Sequence, residues 1–145
     1  MATVELRFSA LPEHVRTARL VAAAVARRAG VDEAVLDEVR LAVGEACSRA
    51  VGLHQNAGIS APVKVLLIEE EKQFSIEVGD EAPHAPVRAR SAGEVLGDAE
   101  TETEEDEMGL AVISGLVDDV EVSAGESGGS IRMRWPTTPP AALFT

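Results

Sequence analysis

The residues best suited to a chemical site are a glutamate–arginine pair, a lone aspartate and a glycine before an apolar helix. Glu45 and Arg49 are four residues apart, so on a helix they share one face. Asp80 follows a strand-like segment, and Gly109 opens the apolar stretch that runs to Val117. A helix N-terminus with a glycine that allows close approach is a common phosphate cradle, and such a cradle also needs a cation.

The segment that precedes Gly109 has the wrong charge for a phosphate. Residues Asp98–Glu107 carry seven carboxylates and no cation. Negative charge at this place repels a phosphate, so the sequence predicts a weakened anion site. The same run has few apolar residues to bury, and we therefore expect it to be mobile.

Composition excludes several classes of partner. The 145 residues have a net charge of −12, which opposes binding to DNA or to anionic membranes. With only one tryptophan, three phenylalanines and no tyrosine, the chain also lacks platforms for stacking bases. No apolar run is long enough to span a bilayer.

Cys47 is the single cysteine, which fits a reducing cytoplasm. Its position in the helical repeat predicts a buried apolar site.

Hydrophobic periodicity supplies the elements that would position these residues. Alternation predicts a first strand at Val4–Phe8, and Pro12 with Gly30 bounds a first helix whose buried stripe is Val15, Ala18, Ala22 and Val25. Asp32 is a cap for a second helix with apolar spacing to Val51, followed by a loop. The remaining predictions are strands at 63–69 and 74–78, a long loop at 79–107, a helix at 109–117 and a hairpin of residues 120–122 and 131–135.

The order β-α-α-β-β-loop-α-β-β predicts an α+β fold, a two-layer sandwich of helices on a mixed, largely antiparallel sheet. We expect a single domain at residues 1–135 with an acidic lid loop at about 79–108. We expect residues 136–145 to form a flexible Pro-rich tail. His14, His54 and His84 are isolated from one another, so we expect them on the surface rather than on a metal.

These segments, taken in order, resemble the RsbW-type anti-sigma-factor serine kinases of the GHKL ATPase superfamily. The matching stretches are Leu6–Leu11 with Ala18-Arg19, Val39–Ala46 at the N-box, Gly79–Glu81 at the G1 box, Met108–Leu110 at the G2 box, and Leu116–Val120 with Gly128–Arg134 at the end. The resemblance implies the GHKL, or Bergerat-type, ATPase fold.

In this family the N-box glutamate is the general base, and an asparagine one turn later ligates Mg²⁺. Glu45 matches the glutamate, whereas Arg49 replaces the asparagine. A guanidinium has donors only and cannot ligate a metal. The alternative for this pair is an ordinary i,i+4 ion pair on a helix.

The two glycine boxes are also altered. Asp80 matches the aspartate that reads adenine, but Ala82 and His84 replace the G1 glycines, and a turn residue is the alternative for Asp80. Gly109 matches a G2 glycine, while Glu107 replaces the first one, and the lid arginine falls at or near Glu105.

The resemblance implies an anti-sigma factor that sequesters an RNA polymerase sigma factor and is controlled by a STAS-type anti-anti-sigma antagonist. It also implies a cytoplasmic homodimer, with Arg19 of the first helix in contact with partners. Because the boxes are degenerate, we expect no cofactor and little or no catalysis. The alternative is an active serine kinase that uses ATP with Mg²⁺ to phosphorylate the antagonist.

Overall fold

The computed structural model describes residues 2–83, 104–117 and 119–137. The elements in order are β1 (Ala2–Phe8), α1 (Glu13–Ala29), a 3-10 turn (Glu33–Val35), α2 (Leu36–Ala57), β2 (Val63–Glu70), β3 (Gln73–Asp80), α3 (Glu104–Leu116), β4 (Asp119–Gly125) and β5 (Gly128–Pro136). The predicted order of strands and helices is confirmed. Residues 98–103 of the acidic run, His84 and residues 138–145 of the tail lie outside the described residues.

The strands form one sheet with the order β1-β2-β3-β5-β4. Every pair of neighbours in this described sheet is antiparallel, so the parallel pairing expected of a mixed sheet is not found there. The helices pack on one face of the sheet, with α2 against both α1 and α3. The predicted two-layer α+β sandwich is therefore confirmed.

The core lies between the two layers. Alternate residues of the central strands are buried because successive side chains point to opposite faces. The buried strand residues of this set are Val63, Val65, Leu67, Phe74, Ile76, Val78, Ile131, Met133 and Trp135. At the edge of the sheet, the guanidinium of Arg134 on β5 forms ion pairs with two residues of β4, Glu121 at 2.8 Å and Asp119 at 2.9 Å. The hydrogen bonds to Glu121 and then Asp119 raise the pKa of this guanidinium.

The first helix has the predicted bounds and buried side. It follows Pro12 and ends at Gly30, whose φ of 102° is the left-handed conformation that glycine adopts without strain. Of the predicted stripe, Val15, Ala18 and Ala22 are buried, and Val25 packs against the core while partly buried. Asp32 caps the 3-10 turn that leads into α2 rather than α2 itself: its Oδ1 accepts the N–H of Ala34 at 2.9 Å, whereas α2 begins after Val35 without a side-chain cap.

The second helix is longer than predicted. The expected loop from Gly52 is wrong, since α2 continues to Ala57 and ends at Gly58 with a φ of 67°. Leu53 and His54 are buried in this last part, and their burial outweighs the low helix propensity of Gly52. The helix therefore reaches the end of the sheet at which β3 terminates.

The third helix begins earlier than predicted. It starts at Glu104 rather than at Gly109. Acidic residues favour the first turn of a helix because they interact with its dipole, so the last four acids of the run become helical.

The strands are also longer than predicted. β3 ends at Asp80, and two-residue turns at Glu71-Lys72 and Glu126-Ser127 join the hairpins.

Candidate functional site

Glu45 and Arg49 lie in the middle of α2, one helical turn apart. Glu45 is half-buried, and Arg49 is buried with only 7% of its surface exposed. The i,i+4 ion pair that was the alternative for Glu45 and Arg49 stays a prediction. A buried guanidinium stands where the family has its metal-ligating asparagine.

Asp80 is the last residue of β3 and is 7% exposed. Its Oδ1 accepts a hydrogen bond from the backbone N–H of Ala82 at 3.0 Å. This contact is the one expected of an aspartate that closes a turn. Ala82 is 2% exposed, so its methyl group is packed in place where the family has a glycine. The adenine-reading role of Asp80 stays a prediction.

The β4–β5 hairpin fixes Asp80 from the other side. Asp80 is paired with Gly129 in the register between β3 and β5. The neighbouring Gly128 has a φ of 132°, and a methyl group there would stand 2.2 Å from the carbonyl oxygen of Asp80. Only glycine permits this approach, so the turn at the end of β3 is closely packed against the hairpin.

His54 corrects the expectation that all three histidines are on the surface. It is fully buried at 0% exposure. Its Nδ1 lies 2.9 Å from the carbonyl oxygen of Ala61, and its Nε2 accepts the N–H of Glu81 at 2.9 Å. His54 therefore joins the end of α2 to the residue that follows Asp80. The burial of His54 could have been predicted from the sequence, because His54 is seven residues after the buried Cys47 and shares its helix face.

Gly109 does not lie at a helix start. It is the sixth residue of α3, which begins at Glu104. Only the first four N–H groups of a helix lack a partner within the helix. The backbone N–H of Gly109 is thus placed to bond within the helix, so the expected helix start at Gly109 is wrong, and the nucleotide-binding role of Gly109 stays a prediction.

Arg19 is exposed, but its stem lies across α2. A methyl group at Gly44 would stand 2.7 Å from Cδ of Arg19 and 3.5 Å from its Cγ. Three and four residues on from Arg19 are the buried Ala22 and Ala23. Arg19 itself is exposed and is not one of the buried residues of α1. Its stem crosses the seam between α1 and α2 while the guanidinium reaches solvent.

A cavity of about 490 Å³ opens near Asp80, on the sheet face away from the helices. Its lining includes Arg7, Lys64, Glu77 and Ser130, but neither Glu45 nor Arg49. The side chains singled out on α2 thus do not share this cavity with Asp80. The described part of the chain holds no group of three or more His, Cys, Asp or Glu placed to bind a metal ion.

Two further features bear on the sequence predictions. Cys47 is buried as predicted, and burial raises the pKa of its thiol to about 12. Among the described helices, none has the length and apolar character needed to cross a membrane.

The comparisons with known proteins decide the family. Residues 8–135 match the model of the histidine kinase-like ATPase domain. The chain belongs to this family. It is 30% identical over 137 residues to the serine-protein kinase RsbW of Bacillus pumilus, covering 90% of this chain and 83% of that protein. It is 27% identical over 127 residues to an anti-sigma F factor of Clostridium acetobutylicum, covering 88% of this chain and 87% of that protein.

A solved structure supports the same fold. The crystal structure of the RsbU and RsbW domains of a Mycobacterium tuberculosis protein superposes with a TM-score of 0.67 at 16% identity. The match covers 97% of this chain and 33% of that longer one. The RsbW-type resemblance and the GHKL fold predicted from the sequence are confirmed.

Proposed function

We propose that this protein is an anti-sigma factor that binds and sequesters an RNA polymerase sigma factor. A STAS-type anti-anti-sigma antagonist releases the sigma factor by competing for the same protein. In this proposal the ancestral nucleotide chemistry is weakened or lost, and binding is the activity that remains.

The observation that carries the proposal is the buried Arg49. In the family, the residue one turn after the N-box glutamate ligates Mg²⁺. Arg49 presents N–H donors and a positive charge at this position, so it repels a cation instead of binding one. Phosphoryl transfer depends on positioning and on neutralising phosphate charge, and the metal does much of both.

The two glycine boxes support the same conclusion. Ala82 is buried where a G1 glycine would let the backbone approach the base. Gly109 lies inside α3, where its N–H is used by the helix. Mg²⁺ with ATP therefore does not fit the described residues well, and we assign this chain no step through that cofactor.

The choice of partners rests on the relatives. One is named an anti-sigma F factor, and two are named serine-protein kinase RsbW. Arg19 is the proposed partner contact, since its guanidinium emerges at the surface of the helical layer. The proposal places the protein in the cytoplasm, where sigma factors act.

The proposed state is a homodimer, as the family resemblance implies. β1 is an edge strand of the sheet, and an edge offers unpaired backbone groups to a second chain. Light scattering on the purified protein measures the mass directly. A monomer at micromolar concentration would contradict this part of the proposal.

The second candidate is an active serine kinase directed at the antagonist. It is favoured by the retained Glu45, which matches the general base, and by the names of the two RsbW relatives.

The two candidate functions differ in whether the protein transfers a phosphoryl group to the antagonist. Purified protein is incubated with radiolabelled ATP, Mg²⁺ and each STAS-domain protein of the source organism. We expect a stable complex without label on the antagonist, and stoichiometric labelling would establish the kinase instead.

A further inference from the structure

The cavity near Asp80 lies over a glycine in the middle of the sheet. Gly79 of β3 is paired with Lys64 of β2 on one side and with Ser130 of β5 on the other. On the next strand outward, Arg7 of β1 is paired with Lys64. Residues paired across strands share a face, so these four positions form one row on the face away from the helices. The glycine leaves a gap in this row, and the cavity of about 490 Å³ lies over the gap.

The backbone does not require a glycine at position 79. A methyl group there would stand 3.8 Å from the carbonyl oxygen of Gly129 and 3.9 Å from that of Lys64, and both are ordinary contacts. The φ of Gly79 is not in the left-handed region. Glycine weakens the interior of a strand, and it often marks a place where a ligand approaches the backbone. The packing of the sheet therefore leaves the gap at Gly79 unexplained.

Three charged side chains that line the cavity have no oppositely charged partner within the described ranges. Lys64 and Glu81 are exposed and Glu77 is half-buried, and none of them forms an ion pair with another described residue. Glu77 is paired in register with Arg132 of β5, but the guanidinium of Arg132 contacts Glu70 at 3.2 Å instead. A partly buried carboxylate without a cation is costly, so a cationic group of a ligand would be stabilising beside Glu77.

The other charged groups of the lining are already engaged. Nε of Arg7 donates to Glu5 at 2.8 Å. Oδ1 of Asp80 accepts the backbone N–H of Ala82 at 3.0 Å. The unpaired charges around the cavity are therefore one ammonium and two carboxylates.

The surrounding fold holds the walls of the cavity in place. The backbone N–H of Glu81 donates to Nε2 of His54 at 2.9 Å. Gly128 approaches the same turn so closely that a methyl group on it would stand 3.0 Å from Cα of Glu81. Lys64 and Glu77 lie on interior strands of the sheet. A site with fixed walls loses little conformational freedom when it binds a ligand.

We propose that this cavity, here called the outer-face site, binds a free basic amino acid. The carboxylate of the ligand pairs with Lys64, and its two cationic nitrogens pair with Glu77 and Glu81. The aliphatic stem of the ligand lies over Gly79 and against the half-buried Leu66. The volume of the cavity is in the range of small-molecule sites. This site is separate from the proposed sigma-factor binding and does not depend on it.

The unpaired charges select this class of ligand over others. A nucleotide or another polyanion would be attracted by the ammonium but repelled by the two carboxylates. An amine without a carboxylate would leave the ammonium of Lys64 unpaired, and an acidic amino acid has too few cationic groups. A basic amino acid, with one carboxylate and two cationic nitrogens, neutralises all three unpaired side chains.

The first test is calorimetric titration of the purified wild-type protein with L-arginine and with L-lysine. Agmatine and cadaverine, which lack the carboxylate, and L-glutamate are titrated for comparison. We expect at least one basic amino acid to bind saturably, with a Kd about tenfold below that of its decarboxylated analogue. An absence of saturable heat from both basic amino acids would overturn the outer-face site.

The second test removes one charged partner at a time. Glu77→Gln is compared with Glu126→Gln, and Lys64→Gln with Lys72→Gln, because both control residues are exposed in turns and do not line the cavity. We expect each site variant to raise the Kd of the bound amino acid about tenfold, while each control leaves it within about twofold. Lys64→Gln should also remove the preference for the amino acid over its decarboxylated analogue, which a merely structural role of Lys64 would not do. Equal binding by both site variants and wild type would overturn the assignment.

The third test fills the gap in the row. Gly79→Val places a side chain in the cavity, and valine favours strands, so the melting temperature should stay close to that of wild type. Gly125→Val on β4 is the control, because a Cβ atom there meets nothing within 4 Å. We expect Gly79→Val to abolish binding of the amino acid and Gly125→Val to retain it.

The remaining outcomes separate this site from other uses of the same face. Undiminished ligand binding by Gly79→Val would place the ligand elsewhere and overturn the proposal. Light scattering is measured on the same variants, and a lower mass for Gly79→Val than for wild type would show that a second copy of this chain covers the face, which also overturns it. Sigma-factor binding is measured separately, so the anti-sigma function stands or falls on its own result.

Discussion

The imidazole of His54 accepts a hydrogen bond from the backbone N–H of Glu81 at 2.9 Å, across a gap of 27 residues in the chain. Because Nε2 is the acceptor, the proton lies on Nδ1, which donates to the carbonyl oxygen of Ala61 at 2.9 Å. One buried side chain thus fixes the end of α2, the loop after it and the turn that holds Asp80.

We expect His54→Ala to lower the free energy of unfolding by about 3 kcal/mol. The substitution removes two buried hydrogen bonds, leaves their backbone partners without a replacement, and opens a cavity. Urea unfolding measures the loss, with His14→Ala as the control because His14 is only partly buried. An equal and small effect of both substitutions would contradict the assigned role of His54.

Gly128 tests how tightly the turn after β3 is packed. Gly128→Ala should cost at least ~2 kcal/mol, since the methyl group would meet the carbonyl oxygen of Asp80 and the φ of 132° is strained for alanine. Gly125→Ala in the same hairpin meets nothing within 4 Å and is the matched control. Thermal melting of the two variants compares them, and similar melting temperatures would show that the hairpin is looser than described.

Restoring one ligand should not restore a kinase. Arg49→Asn returns the side chain found in the family, but Ala82 and the helical Gly109 remain. Groups that act as a unit are strongly non-additive in catalysis, so one repaired position leaves the rate close to background. The assay is label transfer from ATP to a STAS antagonist. Robust transfer by this single variant would mean that Arg49 alone blocks the chemistry.

Cys47 makes stability depend on pH at the alkaline end. Burial raises the pKa of its thiol from 9.0 to about 12 in the folded state. A raised folded pKa contributes stability that is fully present below the unfolded value and is lost as the pH rises toward the folded value. Between pH 7 and pH 10 the free energy of unfolding of wild type, measured relative to that of Cys47→Ala, should fall by about 1.4 kcal/mol. A constant difference in urea unfolding across this range would show that the thiol is not buried.

Sequence reasoning placed the strands and the first helix well because their signals are local. The alternation of Val4, Leu6 and Phe8 and the stop at Gly30 depend on near neighbours only. The prediction failed at Gly52. Helix propensity favoured an end to α2 there, but the helix continues because Leu53 and His54 are buried. Tertiary contacts of this kind are not visible in a window of neighbouring residues.

The candidate site shows the same difference between local signals, which a sequence displays, and tertiary contacts, which it does not. The matching of Glu45, Arg49 and Asp80 to family boxes came from order and spacing. By contrast, the stem of Arg19 over Gly44 depends on how two helices pack, and the partners of His54 depend on a strand that is distant in the chain. The helix that includes Gly109 starts early because consecutive acids favour its first turn.

The central claim is that this chain binds a sigma factor and does not depend on nucleotide to do so. The most direct measurement is calorimetric titration of each sigma factor of the source organism into the purified protein, with and without millimolar Mg-ATP. The account predicts one sigma factor bound with a micromolar Kd or tighter, equal in both conditions within twofold, and no saturable heat from Mg-ATP alone. A low-micromolar Kd for Mg-ATP, together with sigma binding that appears only when the nucleotide is present, would contradict it.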